Sequence, residues 1–140
     1  MQINIIYWSG TGNTEAMAKL IGQGAESAGA TVTITEIGAA DAATALTADV
    51  LALGCPSMGT EVLEETLFDP FVTSIEDKVS GKKLALFGSY GWGDGEWMQD
   101  WTARMQKAGA ILAADSLIVN EAPAGESEQQ CIDFGKAITK

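Results

Sequence analysis

The sequence predicts an α/β fold: a three-layer, doubly wound parallel sheet of five strands with helices on both faces. Short apolar segments alternate with longer segments of helical periodicity along the whole chain, which is typical of strands joined by right-handed crossovers. Several apolar runs are unbroken by polar residues, as expected for strands covered on both faces. At 140 residues we predict a single domain over residues 1–140, with strand order 2-1-3-4-5.

Three strands and one long helix are predicted in the first half of the chain. The helix is marked by apolar residues at helical spacing and by a glycine after its last turn. The second strand is rich in β-branched residues, and an Ala-rich connection with room for one short helical turn leads to the third. In order, these elements are a strand around residues 3–6, the helix Asn13–Ala28, the strand Thr31–Glu36, the connection over residues 38–47 and the strand Val50–Gly54.

Two strands and three helices are predicted in the second half. Asp69-Pro70 has the form of a helix cap followed by proline at the first helical position. Trp97 and Trp101 are four residues apart, which places both on the core face of the next helix. In order, these elements are a helix from Asp69 to Val79, the strand Leu84–Gly88, a helix over residues 97–108, a strand within Ile111–Val119 and a helix within Gly125–Lys140.

The composition excludes several classes of function. A net charge of −11 argues against nucleic acid and anionic membranes as ligands, and it favours basic partners. The chain has no histidine, and Cys55 and Cys131 are far apart, so we predict no metal site and two reduced thiols. No apolar run is long enough to span a bilayer and no signal peptide is recognisable, so we expect a cytoplasmic location.

The stretch after the first strand predicts a phosphate site. It joins a strand to a helix through glycines, hydroxyls and an amide, which places N–H groups at the positive end of a helix dipole. It lacks the lysine of a P-loop, and Glu15 stands where a dinucleotide fingerprint needs its third glycine. The alternative is a simple turn in which Thr14 caps the helix. The residues concerned are Ser9, Gly10, Thr11, Gly12, Asn13 and Thr14.

Two further loops should converge on the same point, because the first, third and fourth strands are neighbours in the predicted order. They offer Met58, Glu61 and Trp92, which suit a planar ring with an N–H group on its edge. Each also has a simpler interpretation: Met58 fills a gap, Glu61 is a solvated acid, and Trp92 covers the base of its own loop. A ligand with one phosphate and one planar ring, such as FMN, fits all three loops.

Three segments then resemble the flavodoxins. They are Trp8–Glu15, Met58–Glu65 and Gly88–Gly95, and they follow one another in the family's order. The resemblance extends over essentially the whole chain, and it includes the strand order 2-1-3-4-5, which is that of the flavodoxins themselves. The last strand carries no extra loop, as in the short-chain group.

The resemblance implies a role for individual residues toward non-covalently bound FMN. Met58 and Trp92 would flank the ring, Glu61 would accept from its N3–H, and the Gly59 carbonyl would turn to meet N5–H after reduction. Pro56 stands where some relatives have serine, so Ser57 would take over that phosphate contact. The implied cofactor-binding residues are Ser9, Gly10, Thr11, Gly12, Asn13, Thr14, Ser57, Met58, Gly59, Thr60, Glu61, Ser89, Tyr90, Gly91, Trp92 and Gly93.

The resemblance also implies a function. The protein would be a low-potential, one-electron carrier whose FMN shuttles between semiquinone and hydroquinone, with no catalytic residues of its own. We expect a monomer that docks basic surfaces of redox partner proteins, reductases and low-potential oxidoreductases. The acidic residues expected to steer these partners are Glu61, Glu64, Glu65, Asp69, Asp94, Glu96 and Asp100.

Three alternatives can be compared with this hypothesis. A small FMN-dependent reductase would need a substrate pocket beside the ring and would oxidise NAD(P)H by itself. A response-regulator receiver would need acidic residues where this chain has Trp8-Ser9 and Cys55. A domain that binds a flavin or nucleotide without redox work would stabilise no one-electron state.

Overall fold

A single parallel sheet is at the centre of the computed structural model, which describes residues 1–140. Helices cover both of its faces. The strands are β1 (Gln2–Tyr7), β2 (Thr31–Glu36), β3 (Val50–Gly54), β4 (Lys83–Tyr90), β5 (Ile111–Leu112) and β6 (Leu117–Asn120), and the helices are α1 (Asn13–Ser27), α2 (Ala42–Ala45), α3 (Phe68–Ile75), α4 (Glu96–Lys107) and α5 (Glu126–Ala137).

The strand order is β2-β1-β3-β4-β5, so the predicted α/β fold and its order are confirmed. The prediction of one fifth strand was wrong in detail, because two short strands, β5 and β6, share the edge position beside β4. Residues 113–116 interrupt the edge. Asp115 and Ser116 favour turns, and the Ser116 hydroxyl lies 2.7 Å from that of Thr102 in α4.

Two hydrophobic cores lie on opposite faces of the sheet. On one face, α1 and α5 pack side chains such as Met17 and Phe134 against β1, β3 and β4. On the other face, α3 and α4 contribute Phe68, Trp97 and Trp101. Every residue of β3 is buried, which agrees with its unbroken apolar sequence.

The start of α3 differs from the sequence-based prediction. Leu67 is the capping residue, so Asp69 and Pro70 lie within the first turn. The carboxylate of Asp69 does not cap the helix but accepts a hydrogen bond from Arg104 of α4 at 2.7 Å. The Asp-Pro pair correctly indicated a helix in this segment, but the predicted start was two residues too late. The reason is that Asp69 bonds to Arg104, which lies outside its own segment.

The helices are short compared with the width of a bilayer. None of them combines the length and the apolarity that crossing a membrane requires.

Candidate functional site

A cleft of about 320 Å³ lies at the carboxyl ends of β1, β3 and β4. We call the segments that follow these strands the β1 loop (residues 9–14), the β3 loop (residues 55–61) and the β4 loop (residues 91–95). All three strands run parallel, so their loops meet at one edge of the sheet. The cleft is lined by Trp8, Gly10, Thr11, Asn13, Pro56, Ser57, Met58, Ser89, Tyr90, Gly91 and Glu121.

Larger clefts occur elsewhere but lack this convergence. One of about 460 Å³ lies on the polar face of β1 and β2, where Gln2 donates hydrogen bonds to Asn4 and Thr33. Another, of about 610 Å³, lies around the Arg104 ion pairs. Neither lies where the loops that follow several parallel strands meet, and neither is lined by a glycine-rich loop, so the smaller cleft is the candidate site.

The β1 loop is held in shape by hydrogen bonds between its own residues and the start of α1. The Ser9 hydroxyl accepts hydrogen bonds from the N–H groups of Gly12, at 3.1 Å, and Glu15, at 3.3 Å. Gly12 has φ of +94° and is the capping residue of α1, a conformation that glycine adopts without strain. The N–H groups of Gly10 and Thr11 donate to no group of the chain. The loop therefore presents free donors at a helix N-terminus, where an anion is stabilised.

Thr14 and Ser89 connect the β1 loop to the end of β4. Thr14 is 1% exposed and Ser89 4%, and their hydroxyl oxygens are 3.1 Å apart. The N–H of Ser89 also donates to the Thr14 hydroxyl at 3.4 Å. Thr14 does not cap α1, so the interpretation of this stretch as a Thr-capped turn was wrong. The pair fixes the relative position of two walls of the cleft.

The β3 loop ends in a tight hairpin. Met58 and Val62 exchange two backbone hydrogen bonds of 2.9 Å, and the three residues between them form the turn. Gly59 has φ of +51° and Glu61 has φ of +58°. A Cβ on Gly59 would meet nothing within 4 Å, so the glycine is required there by backbone conformation and not by space.

Glu61 points away from the cleft, toward α4. Its Oε1 accepts hydrogen bonds from the N–H groups of Gly95, at 3.2 Å, and Glu96, at 3.1 Å. A Cβ on Gly93 would lie 2.6 Å from the same oxygen. Glu61 thus connects the β3 loop to the first turn of α4.

The tryptophans of the β4 loop and α4 have contrasting environments. Trp92 is 67% exposed and does not line the cleft. Trp97 is buried, and its Nε1 donates to the Cys55 carbonyl at 3.2 Å. The ring of Trp97 also contacts that of Tyr90, with centroids 5.9 Å apart. The wall formed by Tyr90 is therefore supported from behind, whereas Trp92 stands free.

The structure brings about half of the predicted cofactor-binding residues into one cleft. The others lie beside it, within a loop or at the surface. Those that line the cleft are Gly10, Thr11, Asn13, Ser57, Met58, Ser89, Tyr90 and Gly91, and those that do not are Ser9, Gly12, Thr14, Gly59, Thr60, Glu61, Trp92 and Gly93.

Sequence reasoning missed three lining residues. Trp8 and Pro56 immediately precede predicted site residues, and their position at the strand ends could have revealed them. Trp8 also packs over Gly10, where a Cβ would lie 3.0 Å from the indole. Glu121 follows β6, whose carboxyl end reaches the same edge of the sheet. Its φ is +57°, and its N–H donates to the Tyr90 carbonyl at 2.7 Å.

The surroundings of the cleft are acidic. No lysine or arginine lines it. Tyr7 donates to the Glu15 carboxylate at 2.8 Å, and burial together with this hydrogen bond raises the pKa of Tyr7 to about 12. The carboxylates of Glu61, Asp94 and Glu96 lie within 4.8 Å of one another beside the cleft.

Glu64 differs from these acids because it is only 4% exposed. Burial alone would raise the pKa of its carboxyl. Hydrogen bonds from the hydroxyl and N–H of Thr66 and from the N–H of Leu67, all near 3 Å or shorter, outweigh burial, and the pKa is lowered. The expectation that Glu64 belongs to an exposed acidic rim was wrong, because its side chain turns inward to the segment before α3.

The side chains at the cleft suit binding more than acid–base chemistry. The nearest thiol belongs to Cys55, and burial raises its pKa to about 12, so it stays protonated. Free N–H donors stand at one end, and Trp8, Met58 and Tyr90 offer apolar surface. These groups fit a ligand with a phosphate and a planar ring, as FMN has.

Comparison with known proteins supports the same cofactor, FMN. The Flavodoxin family model matches residues 5–135. The chain is similar to flavodoxin from Clostridium beijerinckii, with 51% identity over 97% of this chain and 98% of that protein. It is also similar to flavodoxin from Megasphaera elsdenii, with 44% identity over 99% of this chain and 98% of that protein. The solution structure of the two-electron reduced Megasphaera elsdenii flavodoxin superimposes with a TM-score of 0.88 at 43% identity, covering 97% of each chain.

Proposed function

This chain belongs to the flavodoxin family and transfers electrons by means of FMN; we propose that it is a low-potential, one-electron carrier for other oxidoreductases and not an enzyme with its own substrate. The observation that carries the proposal is the single cleft in which the free N–H groups of the β1 loop face the apolar side chains of the β3 and β4 segments. When bound, FMN supplies a ring that takes up and releases electrons one at a time.

The β1 loop holds the phosphate in this proposal. The N–H groups of Gly10 and Thr11 are free, and the side chains of Thr11, Asn13 and Ser57 add neutral donors at the same end of the cleft. Ser9 keeps the loop in shape and does not itself face the ligand. The phosphate is then bound without a counter-charge, by the helix dipole and by oriented dipoles.

The other end of the cleft receives the ring. Met58 and Tyr90 line it, and Trp92 is exposed at its edge and free to cover the ring. Gly59 belongs to a hairpin turn and has open space where a Cβ would stand, and we expect its carbonyl to be directed toward the ring. Gly59 thereby supplies a hydrogen-bond acceptor whose position the backbone controls.

The charge around the site supports a low potential. An added electron makes the bound group more negative, and Glu61, Asp94 and Glu96 oppose this. No lysine or arginine lines the cleft to offset them. Each carboxylate at about 10 Å opposes a unit charge by about 0.4 kcal/mol with the screening of water.

The lining of the cleft, in which free N–H donors face apolar side chains, favours a carrier over a reductase, the second candidate. We further propose that the partners present basic surfaces, since the net charge is −11, and that the protein acts as a cytoplasmic monomer. Two buried free thiols, Cys55 and Cys131, suit a reducing compartment.

Two measurements on the purified protein test the proposal: identification of the released flavin and a potentiometric titration. The purified protein should release FMN on heating, and potentiometric titration should resolve two separate one-electron steps. Release of FAD or of no flavin, or a single two-electron step, would contradict it. Rapid oxidation of NADH or NADPH by the protein alone would favour the reductase.

A further inference from the structure

The five methionines of the chain differ in their access to solvent. Three of them, Met17, Met98 and Met105, are at most 4% exposed and belong to the two hydrophobic cores. Met1 is 50% exposed at the start of the chain. Met58 is half-buried and lines the cleft. Among the internal methionines, Met58 alone is therefore open to a small oxidant in solution.

The two thiols do not compete with Met58 for such an oxidant. Both are buried and free of a disulfide, and burial raises the pKa of Cys55 to about 12 and that of Cys131 to about 11. A thiol reacts with peroxide as the thiolate, which is scarce near neutral pH when the pKa is this high. A thioether has no proton to lose, so its reaction with peroxide depends on access and not on ionisation.

Oxidation of Met58 changes the apolar wall of the cleft, to which Trp8 and Tyr90 also contribute. Hydrogen peroxide transfers one oxygen atom to the thioether sulfur and leaves as water, and the side chain becomes a polar, chiral sulfoxide. Two backbone hydrogen bonds of 2.9 Å with Val62 hold residue 58 in its place beside the cleft. A ligand that covers the new oxygen without offering it a hydrogen bond binds less well, because burying an unpaired polar group is unfavourable.

We propose that Met58 is a modification site at which hydrogen peroxide forms methionine sulfoxide, and that this oxidation weakens the binding of FMN; the second half rests on the proposed function. Dioxygen takes two electrons and two protons from a reduced flavin, and the products are hydrogen peroxide and oxidised flavin. A carrier that loses its electrons to dioxygen thus produces the oxidant beside its own cleft. The change is reversible, since methionine sulfoxide reductases return the sulfoxide to the thioether.

Brief treatment of the FMN-free protein with hydrogen peroxide, followed by mass spectrometry of its peptides and by fluorescence titration with FMN, tests the proposal. Met58 and Met1 should gain one oxygen atom each, whereas the three core methionines should stay unmodified. The FMN affinity of the treated protein should fall about 10-fold, the effect of one buried polar group without a partner. Incubation with methionine sulfoxide reductases should restore the affinity.

Met58→Leu removes the sulfur and keeps an apolar side chain of similar volume. Whatever FMN affinity this variant has, peroxide should leave it unchanged. Met98→Leu is the matched control, because Met98 is buried in the core; peroxide should lower its affinity by the same factor as in the wild type.

Three results would overturn the proposal: Met58 unmodified under conditions that oxidise Met1, complete oxidation of Met58 with an unchanged FMN affinity, or an equal loss of affinity in treated Met58→Leu. If Met58→Leu does not fold, the reductases decide, and an affinity of the treated wild type that they do not restore would overturn it. A wild type that binds no FMN before treatment refutes the proposed function and the effect on FMN, while the peptide masses still judge the modification site.

Discussion

Trp92 and Trp97 are five residues apart, but one side chain is exposed beside the cleft and the other is buried in the core. Trp92 is 67% exposed and Trp97 1%. Replacing Trp92 with alanine should weaken FMN binding by about 1–3 kcal/mol, the range found for aromatic side chains that stack on bases. The FMN-free protein should keep its stability, since Trp92 packs against no core. Fluorescence titration with FMN and urea unfolding measure the two quantities.

The control for this prediction is Trp97→Ala. Removing this buried ring should cost about 3–5 kcal/mol of unfolding free energy. An unchanged FMN affinity in Trp92→Ala would mean that the exposed indole does not reach the ligand.

Glu64 carries a pH-dependent part of the stability. Its pKa is lowered in the folded state from the ordinary value of 4.5, so the carboxylate stabilises the fold above that value, and the contribution is lost as the pH falls through the folded pKa. Glu64→Gln should therefore cost about 1 kcal/mol near neutral pH, as for the loss of a helix-terminal acceptor. The difference from the wild type should shrink as the pH falls below 4.5, through the lowered pKa of the folded state.

Urea unfolding of the FMN-free protein at neutral and acidic pH measures this difference. Glu65→Gln is the control, since Glu65 is exposed and accepts no hydrogen bond. A difference between wild type and Glu64→Gln that is the same at both pH values would contradict the assigned ionisation.

At the level of elements, α1 and α5 pack with their backbones close together at glycines. A Cβ on Gly24 would lie 2.0 Å from the Ile132 carbonyl oxygen, whereas one on Gly22, in the same helix, would meet only the flexible end of Ile34 at 2.9 Å. Alanine normally stabilises a helix by about 1 kcal/mol relative to glycine. Gly22→Ala should thus be nearly neutral, and Gly24→Ala should cost about 1–3 kcal/mol because backbone must move.

The midpoint of urea unfolding, with an unchanged slope, measures the two variants. Equal midpoints for Gly22→Ala and Gly24→Ala would show that α1 and α5 separate at little cost.

Elements with a strong local pattern could be predicted from the sequence. The apolar run of β3 and the helical spacing in α1 gave both elements almost to the residue. The edge position was less predictable, because the residues between β5 and β6 make a tertiary contact, Ser116 with Thr102, that the local pattern does not show. The start of α3 was misplaced for the same reason, since Asp69 is held by Arg104.

The candidate site was predictable to a similar extent. Loops that follow neighbouring parallel strands must meet, so the cleft itself could be located from the strand order. The orientation of side chains within the loops could not, because it depends on non-local hydrogen bonds. Glu61 bonds to α4 and Glu64 turns to the segment before α3, although both follow the same strand.

On the scale of the whole molecule, the structure leaves fewer acids to steer partners than the sequence indicates. Glu64 is buried, and Asp69 is paired with Arg104 at 2.7 Å. The ion pair of Arg104 with Glu76 extends the same network along α3. Of the predicted steering acids, those that remain are Glu61, Glu65, Asp94, Glu96 and Asp100. Glu121, which lines the cleft, adds one exposed carboxylate that the sequence did not indicate.

This acidic edge should make electron transfer to a basic partner depend on salt. At about 0.1 M ionic strength the Debye length is about 10 Å, so exposed charges steer an approaching protein mainly below that concentration. With a small basic cytochrome c as acceptor, the rate should fall steadily as ionic strength rises from about 0.02 to about 0.5 M.

Glu65→Gln and Asp100→Asn should each lower the low-salt rate about twofold, which is the effect of one unit charge at about 10 Å in water. Glu26→Gln removes the same charge from the last turn of α1, at the opposite end of the sheet, and should leave the rate nearly unchanged. An equal loss of rate in all three variants would show that the net charge of −11, and not the acids beside the cleft, attracts the partner.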